Sequence, residues 1–150
     1  MTIIETGKPV ALCSDHAGYE MKKEIIAYLA SKGIATEDFG TDSEASCDYP
    51  DYAHPCALAV ESGKDYPGIA MCGSGNGIAM TLNKHQGIRA ALCWNAEIAH
   101  LARQHNDANI LAMGARVVGP GLALKIVDTF LNTEFSGEER HVNRIRQIED

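Results

Sequence analysis

The stretch that decides the fold is MCGSGNGIAM, residues 71–80, in which one cysteine stands directly before three glycines spaced two apart. The apolar run that leads into it, residues 68–71, predicts a strand, and residues 78–82 predict the start of a helix. Glycines in such a turn let the backbone approach a ligand, and the amides leading into the helix can bind an anion. The stretch therefore predicts an anion site in an α/β protein, although a tight connection without a ligand would leave the same pattern.

The rest of the chain continues this alternation of short apolar runs and longer amphipathic ones. The predicted strands cover residues 9–14, 34–39, 68–72, 88–93 and 109–113. The predicted helices cover residues 19–31, 52–61, 77–83, 96–104, 122–131 and 138–148. This order predicts a mostly parallel sheet with helices on both faces. Gly33 is expected to end the first helix, Asn95 to cap the fourth, and Ser136 with Glu139 to form a capping box at the last.

Length and composition indicate one globular domain that spans residues 1–150. The chain is 45% hydrophobic and 22% charged, and no run approaches the roughly 18 apolar residues of a membrane span. The first residues lack the pattern of a signal peptide, so a cytoplasmic protein is expected. The net charge of −7 argues against binding to nucleic acid or to anionic membranes.

Five cysteines without a C-x-x-C spacing predict free thiols rather than disulfides or a zinc site. Cys13, Cys56 and Cys93 are expected to be buried and inert. Cys72 differs because it lies at the mouth of the glycine turn, where amide dipoles favour a thiolate. The turn lacks the Gly-Lys-Ser/Thr of a P-loop, and Ile78 stands where a low-molecular-weight phosphatase loop has its arginine, so neither of these functions is favoured.

Other reactive residues follow the first strand or lie late in the chain. Asp15 and His16 come directly after the first strand, and ligands of parallel sheets bind at the carboxyl ends of strands. A helix-capping Asp beside a surface His would also explain this pair. Arg140 and Arg144 are four residues apart on one helix, so they could clamp a phosphate or simply form a solvated face paired with Glu139 or Glu149.

Two further candidates are harder to combine with the glycine turn. Arg116 follows the fifth predicted strand. His105 and Asn106 precede that strand, which puts them at the opposite end of the sheet from Cys72. Either the topology differs from this prediction or a second subunit supplies them.

Together these motifs resemble the ribose-5-phosphate isomerase B family, which also contains galactose-6-phosphate and allose-6-phosphate isomerases. The resemblance spans nearly the whole chain and is carried by Asp15-His16, DYP at 48–50, CGSGNG at 72–77, NKHQGIRA at 83–90, RQHNDANIL at 103–111, GARVVG at 114–119 and Arg140/Arg144. It implies a Rossmann-like three-layer α/β/α sandwich with a five-stranded parallel sheet. It also implies homodimers, which could pair into tetramers, with active sites shared between subunits. The implied reaction is aldose–ketose interconversion of a sugar phosphate without metal or organic cofactor.

The resemblance also assigns roles to individual residues. Cys72 matches the proton-abstracting thiol, and His105 and Asp15 match residues that open the sugar ring. One subgroup of the family carries a carboxylate at the position of Ile78, and its absence here favours the cysteine. The matched phosphate contacts are His16, Arg116, Arg140 and Arg144, so the last helix, about 137–148, is expected to contribute to the phosphate site. The matched substrate-positioning residues are Tyr49, Ser74 and Asn106, and the matched anion-hole residues are Gly73, Ser74, Gly75, Asn76 and Gly77.

The chemistry is consistent with these roles. Removing the C2 proton of an aldose phosphate gives an enediolate, which requires a base, an oxyanion site and a phosphate anchor. Ser74 could pass a proton between O1 and O2. The most favoured substrate pair is ribose 5-phosphate and ribulose 5-phosphate. The alternatives left open are galactose 6-phosphate, allose 6-phosphate or a tetrose phosphate as substrate, or a non-catalytic sensor that only binds phosphosugars.

Overall fold

A computed structural model of the chain describes residues 6–150. The strands are β1 (Val10–Ser14), β2 (Thr36–Asp38), β3 (Gly68–Cys72), β4 (Ala90–Leu92) and β5 (Ile110–Gly114). The helices are α1 (Tyr19–Ser31), α2 (Pro50–Glu61), α3 (Asn76–Leu82), α4 (Ala96–Asn106), α5 (Pro120–Asn132) and α6 (Glu139–Ile148), with a 3₁₀ turn over His16–Gly18. All strand pairs are parallel, in the order β2-β1-β3-β5-β4. The predicted Rossmann-like α/β/α sandwich with five parallel strands is confirmed.

The three central strands follow the sequence pattern closely because they are covered on both faces. Every residue of β1, β3 and β5 is buried, which is why these segments read as continuous apolar runs. The edge strands β2 and β4 have only three residues each, about half the predicted length. An edge strand pairs on one side only, so fewer of its residues are held in the ladder.

The sheet separates two apolar cores, and this separation decides where Cys72 points. Leu12, Met71 and Phe130 belong to the core under α1, α4 and α5. Ala70 and Cys72 belong to the core under α2 and α3. Because side chains alternate along a strand, Met71 and Cys72 face opposite sides, and the thiol is directed towards α2 and α3.

Two of the three predicted helix caps are confirmed and one is wrong. Gly33 has a φ of +73° just beyond α1, and the Asn95 side chain accepts a hydrogen bond of 2.9 Å from the Ile98 amide. Ser136 does not form the predicted capping box, because Gly137, with a φ of +69°, turns the chain before the helix begins at Glu139. The Ser136 hydroxyl instead lies 2.6 Å from Nδ1 of His141.

The topology creates a switch point between β1 and β3. The chain leaves β1 towards β2 on one side, then returns to β3 on the other side of β1. Ligands of open parallel sheets bind at such a point, off the carboxyl ends of the two strands. The segments that begin at Asp15 and Cys72 therefore lie side by side, and the Asp15 amide donates to the Met71 carbonyl at 3.3 Å.

Candidate active site

Cys72 lies at the end of β3, where the backbone of the glycine turn folds over its sulfur. The Gly75 amide donates a hydrogen bond of 3.2 Å to Sγ. Gly75 has a φ of +85°, and a Cβ at this position would lie 2.8 Å from the backbone carbon of Met113. Only glycine fits this conformation and this close approach. Cys72 is 4% exposed, so the thiol is nearly buried and its sulfur receives a backbone donor.

The Arg116 side chain lies over the first glycine of the turn. Its backbone amide donates to the Gly73 carbonyl at 2.9 Å, and Nη1 is 3.0 Å from where a Cβ on Gly73 would be. Arg116 is exposed, and its guanidinium makes no hydrogen bond or ion pair with any other residue in 6–150. Absence of a side chain at Gly73 thus lets an unpaired positive charge approach the turn closely.

Tyr49, Ser74 and Asn76 border the same turn. The Tyr49 ring, just before α2, lies so close to Gly77 that a Cβ there would overlap the ring. Ser74 Oγ accepts hydrogen bonds of 3.2 Å from both the amide and the side-chain nitrogen of Asn76. Ser74 and Asn76 are exposed, so both can contact a ligand held above the turn.

Asp15 and His16 complete this edge of the site. Asp15 Oδ1 accepts from the amides of Ala17 and Gly18 at 3.0 and 3.2 Å, so the helix-capping interpretation is correct for one of its oxygens. Nδ1 of His16 accepts from the Cys47 amide at 3.2 Å. An accepting Nδ1 carries no proton, so the neutral His16 ring has its proton on Nε2, where it can donate to an anion.

The remaining predicted residues form a second group around the end of α4 and along α6. The imidazole of His105 stacks on that of His141, with ring centroids 4.5 Å apart. Burial lowers the pKa of His141, and the positive charge of Arg140 lowers it further. Arg140 pairs with Glu138 at 2.8 Å, rather than with Glu139 or Glu149. Arg144 is exposed and makes no ion pair with another residue of the described chain.

The two groups lie at opposite ends of the sheet. α4 begins after β4, at the carboxyl edge, and ends at Asn106, just before β5 begins. His105 and Asn106 therefore lie at the amino edge, whereas Cys72 ends β3 at the carboxyl edge. One chain does not bring the two groups together, as the sequence analysis anticipated.

The three other cysteines that were expected to be inert are fully buried. Burial raises the pKa of Cys93 to about 12. A hydrogen bond with Cys56, together with burial, raises the pKa of Cys13. Cys13 on β1 and Cys56 on α2 lie in the same core as Cys72, but only Cys72 ends a strand at the glycine turn.

The sequence analysis missed one buried charge that supports the site. Lys22 is completely buried, and its Nζ lies 2.6 Å from Oδ1 of Asp38 and 2.8 Å from the Thr41 carbonyl. These bonds anchor the loop between β2 and α2, which carries Cys47 and Tyr49. The available signal was a lysine on the buried face of α1, three residues before Ile25.

Residues 6–150 lack the features of a membrane span and of a metal site with three side-chain ligands. No helix there is long and apolar enough to cross a bilayer. Within the same residues, no group of three or more histidine, cysteine, aspartate and glutamate side chains is placed to hold a metal ion.

The chain is similar in sequence to a known protein family and to several known enzymes. A family model described as Ribose/Galactose Isomerase matches residues 10–148. Ribose-5-phosphate isomerase B of Escherichia coli (strain K12) is 46% identical over 141 residues, which cover 94% of each chain. D-erythrulose-4-phosphate isomerase of Pectobacterium atrosepticum is 40% identical over 129 residues, which cover 85% of each chain.

A solved structure of a similar protein has the same fold. Ribose-5-phosphate isomerase B of Clostridium thermocellum superposes with a TM-score of 0.92 at 50% identity, covering 94% of this chain and 95% of that one. These relatives are sugar-phosphate isomerases, the class of enzyme that the motifs predicted. With matches of this extent, the chain belongs to the ribose/galactose isomerase family.

Proposed function

We propose that this protein interconverts ribose 5-phosphate and ribulose 5-phosphate through an enediolate, with Cys72 as the base that moves the C2 proton. The observation that carries the proposal is the backbone donor to Sγ of Cys72, from Gly75 at 3.2 Å, at the switch point of the sheet. A relative that is 46% identical over nearly the full chain acts on ribose 5-phosphate by name, which supports this substrate.

The glycine turn supports the chemistry of the intermediate. Abstraction of the C2 proton places negative charge on a sugar oxygen. The Gly75 and Asn76 amides already donate to Sγ of Cys72 and Oγ of Ser74, so the remaining amides of the turn are the candidate donors to that oxygen. One donor of this kind contributes about 3 kcal/mol to a transition state in a water-excluded site. Cys72 is 4% exposed, so few water molecules reach its sulfur. Ser74, exposed beside the turn, can pass a proton between O1 and O2.

The basic residues near the turn and on α6 can bind the phosphate group of the substrate. Arg116 lacks an acidic partner within residues 6–150, and His16 has its Nε2 proton available for donation. Arg140 and Arg144, both on α6, supply further positive charge at the other edge of the sheet. Binding energy from the phosphate, which takes no part in the reaction, then fixes the sugar carbons beside Cys72. His105 and Asp15 remain the candidates for opening the ring.

We further infer that the complete site forms between two copies of the chain. A groove of about 570 Å³ begins at Asn76 beside the glycine turn and continues past exposed Met80 to Asn83. A second groove of about 310 Å³ also includes Asn83 and reaches Asn106 at the amino edge. The surface of α3 and β4 therefore connects the two half-sites. A two-fold axis through this surface would bring the turn of one subunit to His105 of the other.

The same assembly bears on domain organisation and compartment. Residues 1–150 are proposed to act as one domain, whose last helix contributes Arg140 and Arg144 to the neighbouring site. Two such dimers could pair into a tetramer. We propose that the protein acts in the cytoplasm, because its five cysteines are all unpaired and free thiols persist in a reducing compartment.

The decisive experiment follows the C2 label of ribose 5-phosphate. Purified protein is expected to exchange deuterium at C2 into water while ribulose 5-phosphate forms. Cys72→Ala should bind the substrate but lose exchange by several orders of magnitude, as removal of a base requires. Cys93→Ala is the matched control, because it removes a buried thiol on the opposite face of the sheet. Near-normal exchange by Cys72→Ala would remove the thiol from the mechanism.

Two alternatives have defined outcomes in the same assay. Isomerisation of a tetrose phosphate is favoured by the erythrulose-4-phosphate isomerase relative, and a panel of tetrose, pentose and hexose phosphates ranks these substrates by kcat/KM. Tight binding of phosphosugars without any C2 exchange would instead indicate a sensor.

A further inference from the structure

Two histidines outside the proposed active site meet ring to ring on the protein surface. His54 lies on α2, and His85 follows α3. Nδ1 of His54 is 2.7 Å from Nε2 of His85, with the ring centroids 4.9 Å apart and the planes tilted by 55°. Each ring thus directs one nitrogen at the other, and a single proton separates the two atoms.

A carboxylate behind His85 sets the direction of that proton. Oε2 of Glu61 lies 3.6 Å from Nδ1 of His85. This carboxylate favours the tautomer with the proton on Nδ1, which leaves a lone pair on Nε2 facing His54. His54 then donates its own Nδ1 proton to that lone pair. A carboxylate beside one imidazole nitrogen and a free lone pair on the other resemble the arrangement of a metal-binding histidine, although the 3.6 Å to Glu61 is an ion-pair distance and not a hydrogen bond.

The spacing of the two nitrogens is close to that of ligands on one ion. A tetrahedral zinc ion with Zn–N bonds of about 2.0–2.1 Å requires two ligand nitrogens about 3.3 Å apart. The observed 2.7 Å is shorter by about 0.6 Å. His54 is exposed, so a small rotation of its side chain can provide this opening. Water alone could satisfy the hydrogen-bonding groups of the exposed His54 ring. Solvation therefore does not explain why this ring approaches His85.

We propose that His54 and His85 together bind one divalent cation of the zinc, copper and nickel class, with Glu61 orienting His85 and water completing the coordination. Imidazole nitrogen is a preferred ligand of these ions. Binding displaces the proton from Nδ1 of His54, and exchange with solvent places a proton on Nε2 of the same ring, so that His54 ligates the ion as a neutral imidazole. No third histidine, cysteine, aspartate or glutamate within residues 6–150 is placed to ligate the same ion, so water supplies the remaining ligands. The bound ion would tie α2 to the segment after α3.

This site is separate from the isomerase reaction. Tyr49 and Gly77, at the beginnings of α2 and α3, contact each other beside the glycine turn. The histidine pair joins α2 to the chain beyond the end of α3. The ion would therefore stabilise the packing of the two helices without touching the substrate, and the metal-free protein should keep its basal activity.

The test uses Zn²⁺ and the ring nitrogens themselves. In ¹⁵N-histidine-labelled protein, Zn²⁺ should shift Nδ1 of His54 and Nε2 of His85 together, to the values of metal-bound nitrogen. In calorimetric titrations, His54→Gln and His85→Gln should each lose this binding event. Glu61→Gln should weaken it by about 10–100-fold. His100→Gln is the matched control, since His100 lies on α4 beside Thr133.

The controls separate this site from binding to thiols and from misfolding. The five cysteines are common to all of these variants, so any zinc that they bind is the same in each titration. Melting temperatures and unchanged basal isomerase activity check the fold of the variants. Zn²⁺ should raise the melting temperature of the wild type more than that of His54→Gln. Unshifted His54 and His85 nitrogens, or a His85→Gln isotherm identical to that of the wild type, would show a proton-sharing pair only and would overturn the proposal.

Discussion

Cys72 and His105 lie at opposite edges of one parallel sheet, the first at the carboxyl end of β3 and the second at the end of α4, before β5 begins. The proposed mechanism uses both residues in the same reaction. If both act on one sugar, each must come from a different subunit. This separation allows the proposed assembly to be tested by subunit complementation. A dimer that combines two different inactive variants can contain one intact site, which neither variant has alone.

Mixing Cys72→Ala protein with His105→Ala protein should restore activity after the subunits exchange. In a mixed dimer, one site combines the intact Cys72 edge of one chain with the intact His105 edge of the other. Random pairing gives about one quarter of the wild-type sites. Activity is measured before and after reversible dissociation. Mixing Cys72→Ala with Asp15→Asn is the matched control and should restore nothing, since both changes affect the same edge.

The fold was largely predictable because the central strands have a strong local sequence pattern. Residues 68–72 are apolar, are buried on both faces and end at a glycine turn, and the structure gives β3 these bounds. The edge strands and the start of α6 were less predictable. Their limits depend on pairing partners and on the turn at Gly137, neither of which a local pattern contains.

The candidate site was predictable only where its residues belong to a local sequence motif. Motifs identified Cys72 and the residues around it, because a glycine turn after a strand has a local signature. Contacts between distant segments have none. Lys22 with Asp38, and His54 with His85, are 16 and 31 residues apart, and only tertiary packing brings each pair together. The separation of Cys72 from His105 was inferred correctly because it follows from topology alone.

Gly77→Ala should reduce kcat/KM by about 10–100-fold with little loss of stability. A Cβ at Gly77 would overlap the Tyr49 ring, which must move away from the turn. Displacements of about one ångström near a reacting group have effects of this size. Alanine also improves helix propensity by about 1 kcal/mol, which offsets part of the strain. Steady-state kinetics and urea denaturation measure the two effects.

Gly121→Ala is the control for this change. Gly121 is also the second residue of a helix, α5, but nothing lies within 4 Å of a Cβ placed there. Its kcat/KM should equal that of the wild type. Equal kinetics for Gly77→Ala and the wild type would contradict the assignment of Tyr49 and the turn to the substrate.

Arg144→Ala should raise KM by about 10–100-fold and change kcat little. A charge-assisted hydrogen bond to phosphate contributes about 1.5–3 kcal/mol, and the phosphate is remote from the reacting carbons. Arg140→Ala should act in the same direction. Arg146→Ala, an exposed arginine on the same helix, is the control for net charge. If Arg146→Ala raised KM as much as Arg144→Ala does, the effect would be long-range attraction and not a specific clamp.

Asp65 and Glu37 form a carboxyl pair whose protonation should contribute to the pH dependence of stability. Asp65 is fully buried, and neither of its oxygens receives a hydrogen bond from a donor group. Burial, followed by the interaction with Glu37, raises the pKa of Asp65 from 3.8 to about 6. The interactions with Asp65 and then Lys64 lower the pKa of Glu37. The pair therefore holds its proton on Asp65 in mildly acidic solution.

The pKa of Asp65 is higher in the folded than in the unfolded state. The contribution of its protonated carboxyl to stability is therefore complete below about pH 4 and is lost as pH rises through 6. Asp65→Asn, which stays neutral, should therefore gain stability relative to the wild type between pH 4.5 and pH 8. Two pKa units correspond to a gain of at most about 3 kcal/mol in the free energy of unfolding. Urea denaturation at the two pH values measures it, with exposed Asp42→Asn as the control. A stability difference between Asp65→Asn and the wild type that is the same at both pH values would show that Asp65 does not titrate between them, and would contradict the raised pKa.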